Sequence, residues 1–272
     1  MSIDIGQFGI WKRAADVTPD LARTVEDLGY GAFWVGGSPT GDLDVVENMI
    51  EATTSIAVPT GIVNIWREEA GTVARSYHRI EAAHPGRLLL GVGIGHPEST
   101  TEYRKPYDTM VEYLGRLHSE SVPKERLILA ALGPKALRLA ADQTAGSHPY
   151  FTTPRHTRLA REIVGPDVLL APEQTVVIDD DVDRARETAR AFVTRYLGLV
   201  NYRNSLLREG WTESDLDDGG SDRLLHEVVL MGTVEDVAAG IRAHIDEGAD
   251  HVCIQDLGPD PITAYQDLAE AL

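Results

Sequence analysis

Several short stretches of the 272-residue sequence carry residue types from which chemistry could be built. In Gly91-Val92-Gly93-Ile94-Gly95-His96, glycine at alternate positions removes the side-chain barrier, so backbone there can approach a ligand closely. The run lacks the Gly-x-Gly-x-x-Gly spacing and an immediate helix, since Pro97 and Pro106 follow, so it is a weak dinucleotide signature. A tight loop with no ligand is the alternative. Leu132-Gly133-Pro134-Lys135 reads as a strand end, a glycine turn and a helix start with Pro134 in the first turn. Such a start offers free amides and a positive dipole end to a phosphate, with Lys135 adding charge, although an ordinary helix start explains it too. Three of the four tryptophans, Trp11, Trp34 and Trp66, fall at the ends of apolar runs. They either line a pocket suited to a flat heterocycle or pack the mouth of a barrel.

Other chemistries lack their residues. His96, His148 and His156 are scattered and no His-Glu-x-x-His occurs, so no metal site is expected. There is no Gly-x-Ser-x-Gly elbow. Lys12, Lys105, Lys124 and Lys135 read as loop or helix-start residues rather than strand lysines suited to a Schiff base. The single Cys253 cannot form an internal disulfide and sits in an apolar run, where it reads as a small buried hydrophobe in a reducing, cytoplasmic setting. With 25 basic against 43 acidic residues, a formal charge of −18, the chain should repel nucleic acid and anionic membrane surfaces. No apolar stretch approaches membrane-span length and the N-terminus has no signal-peptide pattern. A small-molecule substrate is the expected partner.

The elements that would position these residues alternate along the chain. Strands are predicted at 3–10, 31–35, 56–65, 87–93, 126–132, 146–151, 174–178 and 250–256, several as unbroken apolar runs of the kind expected when both sheet faces are covered. Helical segments follow them, opened by signals such as Thr18-Pro19-Asp20, Thr153-Pro154 and Thr233-Val234-Glu235-Asp236. Eight strand–helix repeats predict an α/β fold of the (β/α)8 barrel type, with function at the carboxyl ends of the strands. Residues 197–230 exceed what one helix needs and contain a polar turn at 215–220, so an excursion over the mouth is expected between the seventh strand and the eighth helical unit. No linker divides the chain, and residues 1–272 read as one domain.

Phe8-Gly9-Ile10-Trp11, the segments 26–34 and 85–93, the run Ala130-Ala131-Leu132-Gly133-Pro134-Lys135 and its helix, and Gly146-Ser147-His148-Pro149-Tyr150-Phe151 together resemble the luciferase-like flavin and deazaflavin oxidoreductases. The likeness is greatest to the actinobacterial branch of probable coenzyme F420-dependent oxidoreductases. It spans essentially the whole chain. The resemblance implies a luciferase-like barrel, usually a homodimer, holding F420 or FMN at the carboxyl face. The ring would stack on a bulge ending the third strand, often with a non-proline cis peptide, which matches Gly61-Ile62. Gly61, Ile62 and Asn64 would then shape the ring site, with Trp34 and Gly36 beside it. Gly93, Gly95 and His96 would line its edge, and Gly133, Pro134 and Lys135 would hold the phosphate. Deazaflavin-dependent sugar-phosphate dehydrogenases of the family carry a His after the second strand and a Glu after the fourth. Here Gly36-Gly37 and Gly93-Ile94-Gly95 stand there, which puts that substrate class in doubt and leaves His96 as the first choice for proton transfer. The implied function is hydride exchange between F420 and a small organic substrate. An FMN-dependent monooxygenase and a non-catalytic cofactor-binding barrel are the alternatives.

Overall fold

The computed structural model describes residues 3–95, 105–179 and 181–272, and in it the apolar runs pair as parallel strands. In chain order these are β1 (Phe8–Arg13), β2 (Ala32–Gly36), β3 (Thr60–Gly61), β4 (Val63–Asn64), β5 (Leu90–Gly93) and β6 (Leu127–Leu129). There follow β7 (Gly146–Ser147), β8 (Leu169–Leu170), β9 (Glu173–Ile178), β10 (Val229–Gly232) and β11 (Val252–Asp256). One sheet runs β10-β9-β11-β1-β2-β3 and the other β4-β5-β6-β7-β8. The sheets meet where one stretch of chain passes from one to the other. Between β3 and β4 the third barrel strand crosses at Ile62, and Thr60 N–H donates to Leu89 O at 3.1 Å. Between β8 and β9 the seventh crosses at Ala171-Pro172, where Glu173 N–H donates to Pro149 O at 2.8 Å. Counting each pair as one strand gives the eight of the (β/α)8 barrel, with β10 as an addition along the upper edge of β9.

Alternation decides which core each side chain joins. Phe33 and Val35 of β2, Leu127 and Leu129 of β6, and Val252 and Ile254 of β11 pack outward under the helices. Their neighbours Ala32, Trp34, Ile128 and Cys253 fill the barrel interior. Both faces are dry, which accounts for the unbroken apolar runs.

The helices begin where the sequence places caps. Thr18 Oγ1 accepts from Leu21 N–H at the start of α1 (Pro19–Asp27), with Pro19 in the first turn. Along the chain come α2 (Asp44–Ala52), α3 (Ala70–Ala83), α4 (Pro106–Ser119), α5 (Pro134–Gln143) and α6 (Pro154–Val164), the last capped by Thr153. The expected excursion is built from α7 (Val182–Leu197), α8 (Val200–Glu209), α9 (Glu213–Leu216) and α10 (Asp222–Val228). It has its own apolar cluster, in which Val193, Leu206, Leu216 and Leu224 pack with Phe151 and Val177 of the barrel.

Two elements differ from expectation. Val229–Gly232 is a strand rather than the tail of the excursion; four residues directly after a helix are too short to show a period. After α11 (Val234–Asp246) and β11, the eighth repeat closes with α12 (Pro261–Ala271), capped by Asp260 accepting from Thr263 N–H. The helix after residue 233 therefore precedes the eighth strand, and α12 completes the barrel. No described helix is long and apolar enough to cross a membrane.

Candidate active site

At the carboxyl ends of the strands lies a cavity of about 410 Å³, within the range of small-molecule and cofactor sites. Its walls are unlike one another. Along barrel strands three to five the lining is backbone and small side chains: Gly61, Ile62, Asn64, Ile94, Gly95, Ala130, Ala131 and Gly133. Facing them are Trp11, His148 and Tyr150 from strand ends, with Tyr196 of α7 and Tyr202 of α8.

The peptide Gly61-Ile62 is cis. A Cβ added at Gly61 would stand 2.7 Å from Trp11 Nε1 and 3.1 Å from His148 Nε2, and one at Gly95 would stand 2.7 Å from Asn64 Nδ2. Only glycine leaves these approaches open. Asn64 is fixed by accepting from Trp66 N–H through Oδ1 at 3.0 Å. Trp11 Nε1–H donates to Gly61 O at 3.2 Å, so the two walls are joined directly.

His148 is buried and stacks on Trp34, ring centroids 4.3 Å apart. Its Nδ1 lies 2.7 Å from Ala171 O and must donate there. Nε2 therefore holds the lone pair, and it has no partner among the described residues. Burial pushes the imidazole pKa down to about 4, so the ring is neutral at pH 7. Beneath the aromatic wall Tyr150 Oη donates to Gln255 Oε1 at 2.8 Å and lies 3.0 Å from Tyr196 Oη. Burial holds the Tyr150 phenol well above its ordinary range, with the nearby Glu173 carboxyl acting the same way. Glu173 is itself pushed up to about 8 by burial, and it accepts from Thr175 Oγ1 at 2.6 Å and from Phe151 N–H. No carboxylate lines the cavity among the described residues. Apart from the guanidiniums of Arg67 and Arg208, the proton-bearing side chains there that could take part in proton transfer are the phenols of Tyr150, Tyr196 and Tyr202.

Of the residues singled out in the sequence, Gly61, Ile62, Asn64, Gly95 and Gly133 come together on the cavity. The remaining residues expected to hold the ring or the phosphate stand apart from it. Trp34 is fully buried in the barrel interior, its Nε1–H donating to His251 Nε2 at 3.0 Å. Gly36 lies under the Trp11 ring, where a Cβ would come within 1.9 Å, and Gly93 packs against Ala130 and Ile62. Pro134 is the exposed first residue of α5. Lys135, one residue on, holds Nζ 3.7 Å from the Tyr107 ring centroid, outside the cavity. His96 lies outside the described residues. Of the three tryptophans Trp11 alone lines this cavity; Trp66 faces a separate surface hollow. Among the described residues, no group of three His, Cys, Asp or Glu could hold a metal.

Sequence reasoning missed Tyr196, Tyr202, Arg67 and Arg208, which line the cavity, and gave no site role to His148 or Tyr150, which it quoted within one resembling segment. The only signal was compositional: three of the nine tyrosines fall between residues 150 and 202. The walls fit a planar ring with a phosphorylated tail. Glycine backbone and Ile62 offer a flat apolar surface, and the open turn at Gly133 leads to the start of α5.

Comparisons with known proteins agree with this architecture. An F420-dependent secondary alcohol dehydrogenase, solved with an F420–acetone adduct, matches with a TM-score of 0.76 at 16% identity, covering 100% of this chain and 98% of that one. The oxygenating constituent of 3,6-diketocamphane monooxygenase from Pseudomonas putida, solved with FMN, matches with a TM-score of 0.67 at 12% identity, covering 99% and 96%. At such identities these likenesses establish the fold. N-acetyl-S-alkylcysteine monooxygenase of Bacillus subtilis is 31% identical over 153 residues, 49% of this chain, which spans less than half (46%) of that relative. The luciferase-like monooxygenase family model matches residues 9–251, and the chain belongs to that family of oxidoreductases and monooxygenases.

Proposed function

We propose that the protein is an oxidoreductase that exchanges a hydride between deazaflavin coenzyme F420 and a small organic substrate. The observation that carries this reading is the asymmetric cavity, with one wall of backbone and Ile62 and the other of Trp11, Tyr150 and Tyr196. A planar ring lies flat on the first, and a small substrate is held against it by the second. Gly61, Ile62, Asn64 and Gly95 would hold the ring, and Gly133 with the first turn of α5 would receive the phosphate. Bound deazaflavin supplies two-electron hydride chemistry, whereas bound FMN supplies oxygen chemistry as well. The aromatic side chains exclude water from the ring, and Tyr196 presents a phenol for the proton that accompanies the hydride.

A second reading, an FMN-dependent monooxygenase, is favoured by the name of the 31% identical relative. Titrating the purified protein with F420 and FMN separately distinguishes the two. F420 binding, with oxidation of reduced F420 by an enone or imine acceptor, is expected. Tight FMN binding with oxygen consumption and no F420 binding would select the monooxygenase. Binding without turnover over a wide acceptor panel would leave a non-catalytic barrel.

A further inference from the structure

α8 presents a polar stripe to the cavity. Asn201, Asn204 and Arg208 are three and four residues apart, the spacing of one helix face, and all three line the cavity. Across from them is the turn at Gly133, where a Cβ would find Arg208 Nη2 at 3.6 Å and Cζ at 3.8 Å before any other atom. The guanidinium thus stands over the start of α5. Arg208 makes no ion pair among the described residues, and the carboxyl of its neighbour Glu209, though it acts on Arg208 through its charge, is hydrogen-bonded elsewhere. That carboxylate is 1% exposed and accepts from Thr153 Oγ1 at 2.6 Å. The turn is fixed from the other side by His156, buried, whose ring nitrogen Nε2 donates to Leu132 O at 3.0 Å. His156 adds no charge, because burial pushes its pKa down to about 4. In a chain of net charge −18, an anionic ligand entering here needs a local cation, and Lys135 is held over the Tyr107 ring instead.

We propose that Arg208, carried by the excursion rather than by the barrel, is the residue that holds the cofactor's phosphate against the start of α5. This rests on the cofactor reading given above. It also gives α8 a second task, since one helix would supply both the cation for the cofactor and Tyr202 for the far wall.

The test compares ligands with and without the phosphate: FMN differs from riboflavin by that group alone, and F420 from its riboside by the phosphate and the acidic tail it carries. Dissociation constants for F420 and its phosphate-free riboside, and for FMN and riboflavin, are measured by fluorescence on the wild type, R208Q and K135Q. Thermal unfolding of each variant checks that it is folded. For whichever pair binds, R208Q should weaken the phosphorylated member about tenfold or more, as expected for a lost charge-assisted pair. The phosphate-free member should be unaffected, and K135Q should shift both by less than about twofold. R208K should recover part of the loss, since it restores the charge without the guanidinium fork. Equal weakening of both members by R208Q, or a selective loss in K135Q instead, would overturn the assignment and leave the cofactor reading standing. A wild type that binds none of the four ligands would overturn both.

Discussion

The two walls of the cavity achieve closeness to a ligand by opposite means. On the side of barrel strands three to five, side chains are removed: Gly61, Gly95 and Gly133 leave backbone bare, and no described carboxyl or imidazole intrudes. On the other side, side chains are added and then immobilised. Trp11, Tyr150 and Tyr196 are locked by ring contacts at 5.7 and 5.3 Å and by the hydrogen bonds to Gly61 O and Gln255. The first wall selects by shape and tolerates no addition. The second is made of side chains that substitution can change, and it carries the phenol protons of the cavity. Bare backbone suits a constant ligand, and a wall of replaceable side chains suits one that varies between related chains.

Breaking the aromatic wall should have the largest effect. Trp11→Ala removes a side chain that is 6% exposed and should cost about 3–5 kcal/mol in denaturant unfolding. A loss under about 1 kcal/mol would mean that the wall is soft. Acid should come next, because this wall rests on a neutral imidazole. The folded His148 pKa, about 4, lies below the unfolded value near 6.5. The unfolded chain therefore takes up a proton first, and stability should fall as pH drops from about 6.5 to 4, by about 3 kcal/mol from this residue. His156, His244 and His251, lowered by burial to about 4, 3 and 4, act in the same direction. Glu173 acts oppositely. Its folded pKa, about 8, is above the unfolded 4.5, so its contribution fades as pH rises between those values. A thermal midpoint that is flat from pH 6.5 to 4 would mean that the histidines are charged in the folded state.

Filling the backbone wall should cost less in stability but more in binding. Gly61→Ala puts a Cβ 2.7 Å from Trp11 Nε1. It should lose about 1–3 kcal/mol and, on the proposed reading, most of the ring affinity. Undiminished cofactor binding in a folded G61A variant would remove this wall from the ring site. Smallest of all, Tyr196→Phe keeps the aromatic contacts and deletes one hydrogen bond to Tyr150, at about 0.5–1.5 kcal/mol. A fall in kcat with KM unchanged would support its proton role, and unchanged kcat would end it.

The two walls also differ in how far the sequence exposed them. The backbone wall was legible because its parts are local: Gly133-Pro134 announces a turn and a helix within two residues, and the glycine run at 91–95 marks close approach by itself. Lys135 went elsewhere because successive helix residues turn by about 100°; Ala136 faces the cavity and Lys135 its flank. Trp34 shows the same limit in a strand. Being at a strand's end does not say whether a side chain points up or inward, and Trp34 points inward onto His148. The aromatic wall is assembled from residues 11, 148, 150, 196 and 202, whose meeting depends on closure of the barrel and the path of the excursion. No periodicity within one segment encodes that meeting.

The separate apolar cluster of the excursion bears on how such chains diverge. Residues 182–228 bury Val193, Leu206, Leu216 and Leu224 in a cluster of their own, which meets the barrel at Phe151, Val177 and Val229. Substitutions at the cavity-facing polar positions of α8, Asn201 and Asn204, can therefore accumulate with little effect on the strands. A lineage built this way changes what it accepts by drift or recombination in one segment, and the rest of the barrel passes on unaltered. Libraries restricted to Asn201 and Asn204, which line the cavity outside the apolar cluster, would retrace that route in the laboratory while keeping a high folded yield.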